Sequence, residues 1–399
     1  MQDTNRDSNY YQRSAFVLRV AKYATIFVFV IFLISCIVIF SKDITLENIQ
    51  LLAKFINFDV TSSEYVDEFS TTANDESQVI MLRDNLGVIN KNNISLYDLS
   101  GQKLFSYNYS LSAPAVVHDD HSIVVHDIKG NTLTVFNSFS KIKDFEYTGN
   151  VLSSDINDNF FCVITKDESF NSVLKVYEYS YHERDYLDIF TLKSSNHLTS
   201  CAISHNGRYV IASSASSHQG SYECAVHLYD TSSNDSKPVF SYRIENELPF
   251  KVGFADDNIS SYVITDSAIH FFEHGFKNKT TYTFNQSKVE NFYENDDIIV
   301  LTERNNLSGN SVMLIGISKY GKKLFEINTS DEIYDVCIGK GKIFALGKQN
   351  VYEVSKKENV FSISGKAPLT SKYFSVVCDT NDICYVLSDA FVNKVNFIK

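Results

Sequence analysis

The chain has 399 residues and a mass of 45.3 kDa, with 44% hydrophobic and 21% charged residues, a composition that excludes a disordered chain and a multi-span membrane protein. Its formal net charge of −12 argues against nucleic acid as a partner, because neutralising phosphates requires a basic surface. Aromatic residues make up 14%, against only 4 Pro and 15 Gly, which favours strands over helices.

A short basic tail, residues 1–22, precedes an apolar segment. Residues 24–40 are seventeen consecutive positions without a charge, which is near the lower limit for a helix that crosses a bilayer. Tyr23 and Ser41 can extend it to the two interfaces. The pattern therefore predicts a transmembrane helix over 23–41.

Two other interpretations of this segment were weighed. A cleaved signal peptide needs small residues before the cut, and 37–40 offer none. The run Leu33-Ile34-Ser35-Cys36 has the form of a lipid-attachment site, but four more apolar residues follow Cys36 where a lipoprotein turns polar. We expect an uncleaved anchor, and lipidation of Cys36 stays open.

The charges beside the span predict its orientation. Four basic residues precede it, opposed by two acidic ones: Arg6, Arg13, Arg19 and Lys22 against Asp3 and Asp7. The positive-inside rule then places the tail in the cytoplasm. The rest, with 32 basic and 46 acidic residues and a net charge of −14, is expected outside the cell membrane.

Residues 42–60 are predicted to be a juxtamembrane helix or linker. Apolar residues recur there at helical spacing, at Leu46, Ile49, Leu52, Ala53 and Ile56. Thr45 is a suitable N-cap. A helix lying on the membrane or on the following domain explains this pattern better than a dimerising helix.

Residues 61–399 contain a repeat of short alternating strands. Eight copies of an apolar strand, a turn, a strand that ends in an aromatic residue, a second turn and a third strand occur at 86–107, 122–139, 160–180, 208–230, 261–275, 298–327, 342–363 and 383–398. Their mean spacing of about 43 residues is the length of a four-stranded propeller blade. Solenoid rungs are shorter and more regular, and sandwiches do not contain eight matched units.

The predicted fold is therefore all-β, a single β-propeller of about eight four-stranded blades, with seven as the alternative. The last copy stops after its third strand, and the early segment Glu64–Phe69 has no partner in its own unit. We expect this segment to complete the final blade, which would close the ring and remove both free edges.

The order of basic tail, single span, LENIQLLAKFINFD-like segment and degenerate blades resembles an uncharacterised bacterial family of membrane-anchored propellers, common in Gram-positive anaerobes. The stretches 94–105 and 318–325 look like blades of pyrroloquinoline-quinone propellers, and 201–210 resembles the Ser-x-Asp-Gly-Arg-Tyr turn of other propellers with Asn206 in place of Asp. The resemblance implies a fold and a single-pass anchor, and it implies no activity.

Two groups of residues with metal or redox chemistry were considered. His118-Asp119-Asp120-His121, with His126-Asp127 nearby, carries metal-ligand types, but Asp-Asp is also a turn signal, and a solvated turn is the better interpretation. Six cysteines beyond Cys36 lie in predicted strands, as buried small hydrophobic residues do. A disulfide between Cys378 and Cys384 stays open, and no metal site or cofactor is predicted.

No catalytic motif is recognisable, and Trp, which sialidase and quinone propellers use, is absent. Three connections between second and third strands are predicted to be long, at 166–171, 214–221 and 303–310, and to open on one face. These loops supply the candidate ligand-binding residues: Asp167, Glu168, His218, Gln219, Glu303, Arg304 and Asn305. The leading prediction is a non-enzymatic binding or scaffolding module with envelope proteins as partners, and a degenerate propeller enzyme is the alternative.

Overall fold

A computed structural model of the chain describes residues 16, 18–32, 35, 66–138, 140–157, 159–183, 185–218, 220–233, 237–284, 288–304 and 311–397. The chain divides into two compact units, Met1–Ser62 and Ser63–Lys399. In the first unit the described residues are helical, and the large apolar side chains from Phe16 to Phe32 are exposed.

The predicted anchor falls only partly within these residues. Within the described ranges, no helix has both the length and the apolar character that a membrane crossing requires. Residues 33–34 and 36–41 of the predicted span, with Cys36, lie outside the described residues, as does the predicted helix over 42–60. The span, its orientation and the lipidation question therefore stay predictions.

The second unit consists of eight four-stranded antiparallel sheets, which form the blades of a propeller. It begins with β1 (Glu68–Ser70). Blades 1 to 4 contain β2 (Gln78–Leu82), β3 (Asn85–Ile89), β4 (Asn93–Asp98), β5 (Lys103–Asn108); β6 (Pro114–His118), β7 (Ser122–Asp127), β8 (Thr132–Asn137), β9 (Lys141–Glu146); β10 (Val151–Asn157), β11 (Phe160–Lys166), β12 (Ser172–Ser180), β13 (Asp185–Ser194); and β14 (His197–Ile203), β15 (Tyr209–His218), β16 (Ser221–Asp230), β17 (Phe240–Glu245).

Blades 5 to 8 follow in the same order. They contain β18 (Pro249–Phe254), β19 (Ser261–Thr265), β20 (Ala268–Glu273), β21 (Asn278–Thr283); β22 (Lys288–Glu294), β23 (Ile298–Arg304), β24 (Val312–Ser318), β25 (Lys323–Asn328); β26 (Ile333–Ile338), β27 (Lys342–Gly347), β28 (Asn350–Lys357), β29 (Val360–Pro368); and β30 (Ser375–Cys378), β31 (Cys384–Ser388), β32 (Phe391–Lys394). The eight-bladed prediction is confirmed, and the seven-bladed alternative is wrong.

The eighth blade takes its outer strand from the start of the domain. β1 pairs with β32, with Phe69 opposite Val392, and the Asn393 amide donates to the Glu68 carboxylate at 2.9 Å. The strand begins later than the predicted Glu64, and residues 64 and 65 lie outside the described residues. The predicted closure of the ring is confirmed.

The sequence builds the core at the junctions between blades. Second and third strands are buried on both faces, as in β3 and β24, whereas outer strands such as β21 are mostly exposed. Eight hydrophobic clusters of buried residues result, one at each junction between neighbouring blades. The cluster between blades 8 and 1 includes Phe69 and Tyr385, so the closing blade shares a buried hydrophobic cluster with its neighbour as the other blades do.

The three stretches that resemble motifs of other propellers, 94–105, 318–325 and 201–210, each contain a turn. Gly101 and Gly321 lie between the third and fourth strands of blades 1 and 6, with φ of 86° and 84°, a conformation that glycine adopts without steric cost. In the 201–210 stretch, the Ser204 hydroxyl donates to the Asn206 side chain at 2.9 Å, and Gly207 has φ 67°. These motifs thus specify blade geometry.

Candidate functional site

The first strands of the blades surround a central channel. These inner strands are β2, β6, β10, β14, β18, β22, β26 and β30, and seven of the eight neighbouring pairs contact each other, including β30 with β2. Each inner strand begins at one face of the ring and ends at the other face. Because the strands of a blade alternate in direction, the connections between second and third strands return to the face where the inner strands begin.

Five of the described inner strands carry a β-bulge at their second or third residue. The register with the second strand shifts there in blades 3 to 7, and the extra residues are Leu152, Thr199, Phe250, Glu290 and Tyr334. The side chain of the extra residue at a bulge does not follow the alternating directions that bury its neighbours between the sheets. Each bulge therefore redirects one side chain near the start of an inner strand.

Three of the bulged residues are large, apolar and exposed. Leu152, Phe250 and Tyr334 have 44%, 58% and 42% of their surface accessible to solvent, although the residues on either side of each are partly or fully buried. We call Leu152, Phe250 and Tyr334 the apolar mouth. Sequence reasoning missed them, because a bulge interrupts the alternation by which strands are recognised.

Two cavities adjoin the apolar mouth. One of about 450 Å³ lies between blades 5 and 6 and is lined by Phe250, Phe292 and Asp266, among others. The second, of about 430 Å³, lies in the channel beside Tyr334 and reaches His118. Each cavity thus pairs an exposed aromatic ring with polar groups.

The predicted loop residues lie on the same face as the apolar mouth, but the structure does not bring them together as one site. Asp167 and Glu168 belong to the connection 167–171, where the Asp167 carboxylate accepts the N–H groups of Ser169 and Phe170 at 2.9 and 2.8 Å. These bonds hold Asp167 in its own turn. Glu168 is exposed.

The other two predicted loops need correction. Most of 214–221 belongs to the long hairpin of β15 and β16, because Ser214 to His218 pair with the next strand; the His218 side chain and Gln219 lie outside the described residues. Glu303 and Arg304 close β23. Glu303 is fully buried, and Asn305 lies outside the described residues.

Arg304 joins two blades. Its Nε donates to the Glu290 carboxylate at 2.6 Å, and its Nη2 donates to the Glu332 carboxylate, before blade 7, at 3.1 Å. These bonds raise the pKa of the guanidinium, led by the one to Glu290. The contacts of Arg304 are those of a structural residue, and whether these loops bind a ligand stays a prediction.

Four charged or titratable side chains from inner strands approach one another toward the other end of the channel: His118, Asp155, Lys251 and Glu294, which we call the charged cluster. Lys251 Nζ lies 2.7 Å from Glu294 Oε1. The charge of Lys251 also acts on Asp155 in blade 3 and on His118 in blade 2. Blades 2 and 5 are not neighbours, so this interaction crosses the channel.

The cluster shifts the pKa of each member. Burial raises the pKa of the Asp155 carboxyl to about 6, although the Ile203 N–H and the Lys251 charge oppose it. Burial lowers the pKa of His118. For Lys251, burial is outweighed by Glu294 and Asp155, and its pKa is raised.

A tyrosine completes the cluster from the second strand of blade 5. The Tyr262 hydroxyl donates to the Glu294 carboxylate, and with the charges of Lys251 and Lys319 it outweighs burial and lowers the pKa of Glu294. A Cβ on Gly253 would overlap the end of the Tyr262 ring. Glycine in the inner strand therefore lets Tyr262 reach the channel.

Two partly buried aspartates bind the next blade. Asp155 accepts the N–H of Ile203 in blade 4 at 3.0 Å. Asp335 accepts the Ser375 hydroxyl at 2.7 Å and the Val376 N–H at 2.9 Å in blade 8. Inner-strand carboxylates thus join neighbouring blades, and this is the structural role of the cluster.

One buried histidine lies between a carboxylate and a hydroxyl group, which is the order of side chains in a catalytic triad. His270 Nε2 lies 2.7 Å from Glu247 Oε2, and its Nδ1 lies 3.0 Å from the Thr281 hydroxyl. The equivalent third-to-fourth-strand pairs in other blades are also polar, as in His227 with Ser241 at 2.9 Å and Thr134 with Asp144 at 2.9 Å. The His270 group is one of a repeated set of cross-strand pairs.

The residues considered for metal or redox chemistry have structural contacts. The Asp119 carboxylate accepts the N–H groups of His121 and Ser122, both at 2.6 Å, which closes the predicted turn. Among the described residues, no group of three metal-ligand side chains could hold an ion. Cys378 and Cys384 are cross-strand partners, and both are free thiols.

The fold and channel define a closed eight-bladed β-propeller. The family model described as a family of unknown function (DUF5711) matches residues 56–370. The chain belongs to this family, which confirms the expected membership of a family without an assigned function. No curated protein matches the sequence significantly.

Solved structures resemble the chain at low identity. Sqt1 from Saccharomyces cerevisiae is 7% identical over 85% of this chain and 100% of that chain, with a TM-score of 0.57. BamB from Moraxella catarrhalis is 13% identical over 84% and 99%, with a TM-score of 0.49. Hsv2 from Kluyveromyces lactis is 13% identical over 60% and 80%, with a TM-score of 0.45. The likeness to Sqt1 supports the propeller fold.

Proposed function

We propose that this chain is a membrane-anchored, extracytoplasmic propeller that binds a segment of another envelope protein at the apolar mouth, without catalysing a reaction. The observation that carries the proposal is the exposure of Leu152, Phe250 and Tyr334 on inner strands whose other apolar residues are buried. Exposed apolar side chains that share one face of a domain are a feature of interaction sites.

The rigidity of the ring supports a binding role. Each blade packs on two neighbours, and the first and last strands of the domain are joined in blade 8. A surface held this way loses little conformational freedom when a partner binds. The same rigidity suits a scaffold, which holds partners at fixed positions.

The anchor and the location are part of the proposal and rest on the sequence. Seventeen uncharged residues at 24–40 and the basic tail before them support a single span with a cytoplasmic N-terminus. Protease added to intact cells should then degrade the ring and spare residues 1–22. Cleavage of the tail with protection of the ring would reverse the orientation.

The alternative is a propeller enzyme with its active site in the channel. It is favoured by the raised pKa of Asp155 beside Lys251 and Glu294, since such shifts accumulate at catalytic sites. Asp155→Asn, which keeps an acceptor for the Ile203 N–H, separates the two roles. A folded variant that fails to complement a deletion strain favours the enzyme, and full complementation favours binding.

Site-specific photo-crosslinking tests the binding role. A benzoylphenylalanine placed at Phe250 or Tyr334 of the full chain, in cells that natively contain it, should give an adduct of defined mass after illumination. Tyr181, in a turn, and Val360, the first residue of β29, are controls, because they are 73% and 66% exposed and lie at the other face. Adducts of equal yield at both faces, or none at the mouth, would refute the proposal.

A further inference from the structure

The cavity between blades 5 and 6 has aromatic walls. Its apolar lining comes from Phe250, Ile264, Phe284, Val289 and Phe292. Phe250 is more than half exposed, so its ring is available to a ligand. The volume of about 450 Å³ lies at the lower end of the range for ligand sites, which suits one large side chain.

The polar part of the lining is acidic. Asp266, which is exposed, and Glu290, whose side chain is 26% accessible, supply carboxylates to the lining. One oxygen of Asp266 accepts the Leu248 N–H at 3.0 Å, and one oxygen of Glu290 accepts from Arg304 at 2.6 Å. A carboxylate has about four lone-pair sites, so each can accept further hydrogen bonds from a cation.

We infer that this cavity receives an aromatic side chain of a basic peptide segment, with neighbouring Lys or Arg residues on Asp266 and Glu290. The inference rests on the proposed function and names the chemistry of the partner. Aromatic rings pack favourably edge-to-face or offset against Phe side chains, and a basic residue beside the cavity also meets the exposed face of Phe250. The chain's net charge of −12 is complementary to a basic segment.

The chain offers a direct measurement, because it contains no Trp. Full-length protein in a neutral detergent is titrated into a fixed, low concentration of acetyl-Lys-Trp-Lys-amide, and the anisotropy of tryptophan emission reports bound peptide alone. We expect saturable binding, and acetyl-Glu-Trp-Glu-amide should bind about tenfold more weakly or less, because like charges at an interface repel.

Two substitutions locate the binding in the cavity. Phe250→Ser should abolish saturation, whereas the control Tyr181→Ser, at an exposed position on the other face, should bind as the wild type does. Because both variants are measured in the same detergent, peptide that partitions into micelles contributes equally to the two titrations. Asp266→Asn should reduce the preference for the Lys peptide over the Glu peptide.

Equal binding to the wild type and to Phe250→Ser, with unchanged melting of both, would overturn the inference, as would equal affinity for the two peptides. These results are separable from failure of the proposed function. Mouth-specific adducts in cells without peptide binding would leave a binding propeller whose partner has another chemistry. Peptide binding without adducts would leave a functional cavity in a chain whose envelope partner is not bound at the mouth.

Discussion

The two ends of the channel are built from the same inner strands and differ in what their side chains contact. At the apolar mouth, Leu152, Phe250 and Tyr334 are exposed to solvent. In the charged cluster, Lys251 and Glu294 form an ion pair, and Asp155 binds the next blade. The difference indicates that the cluster holds the ring together, whereas the mouth is available to a partner.

This comparison predicts opposite phenotypes. Substitutions that break the ion pair of the charged cluster should reduce the free energy of unfolding and leave binding intact in any molecule that folds. Substitutions in the apolar mouth should reduce binding and leave the free energy of unfolding nearly unchanged.

Gly253→Ala should have the largest effect. The added Cβ overlaps the Tyr262 ring, which is fully buried, so either the inner strand or the ring must shift. We expect a loss of about 3 kcal/mol, as overpacking of a core causes, measured by urea unfolding. Gly341→Ala is the control, because its Cβ would meet only a carboxylate oxygen of Asp382; an equal loss in both variants would contradict the explanation.

Lys251→Met should cost about 2 kcal/mol, because Glu294 and Asp155 lose the cation that faces them. This loss is smaller than the loss expected for a fully buried ion pair, since the Lys251 side chain is 39% exposed. Adding Glu294→Gln should recover most of the loss, a coupling that a double-mutant cycle measures. Strictly additive losses would show that the pair does not act as a unit.

Stability should depend on pH through Asp155. Its pKa of about 6 in the folded protein is above that of an unfolded aspartate, so the folded state holds the proton more tightly. The contribution of the group is therefore most favourable at low pH and is lost as pH rises through about 4 to 6. The free energy of unfolding of Asp155→Asn, relative to that of the wild type, should therefore rise by on the order of 2 kcal/mol between pH 4 and pH 7. A constant difference in urea unfolding across that range would contradict the burial of this carboxyl.

The mouth substitutions should have the smallest effect on stability. Leu152→Ser, Phe250→Ser and Tyr334→Ser each remove an exposed apolar side chain, and surface changes of this kind lie within about 0.5 kcal/mol of the wild type. Thermal melting of the triple variant measures the sum. A loss comparable to that of Lys251→Met would mean that these side chains stabilise the ring.

The sequence predicted the eight blades and the closure in blade 8 because second and third strands are buried on both faces and repeat regularly. Ser214 to His218 were assigned to a loop, since polar and small residues there resemble turn residues although they pair in a hairpin. The repeat unit recognised in the sequence begins at the second strand. Cys201, Cys337 and Cys378 were assigned to strands that prove to be inner ones, but the inner strands fall outside that unit, and bulges interrupt those of blades 3 to 7.

The candidate site was less predictable than the fold for the same reason. Phe250 and Lys251 are adjacent, yet one adjoins the cavity between blades 5 and 6 and the other forms an ion pair with Glu294. Their partners come from strands far apart in the chain, and no local pattern specifies them. The predicted residue Arg304 lies near the mouth face but is held by Glu290 and Glu332.

The most direct test of the contrast between the two ends places the photo-crosslinker at Thr199, the bulged residue of blade 4, in two backgrounds of the full chain. In the wild type we expect an adduct of defined mass. In the Leu152→Ser, Phe250→Ser, Tyr334→Ser background we expect that adduct to be lost while the melting temperature stays the same. An adduct of undiminished yield in the triple variant would contradict the assignment of the apolar mouth as the binding surface.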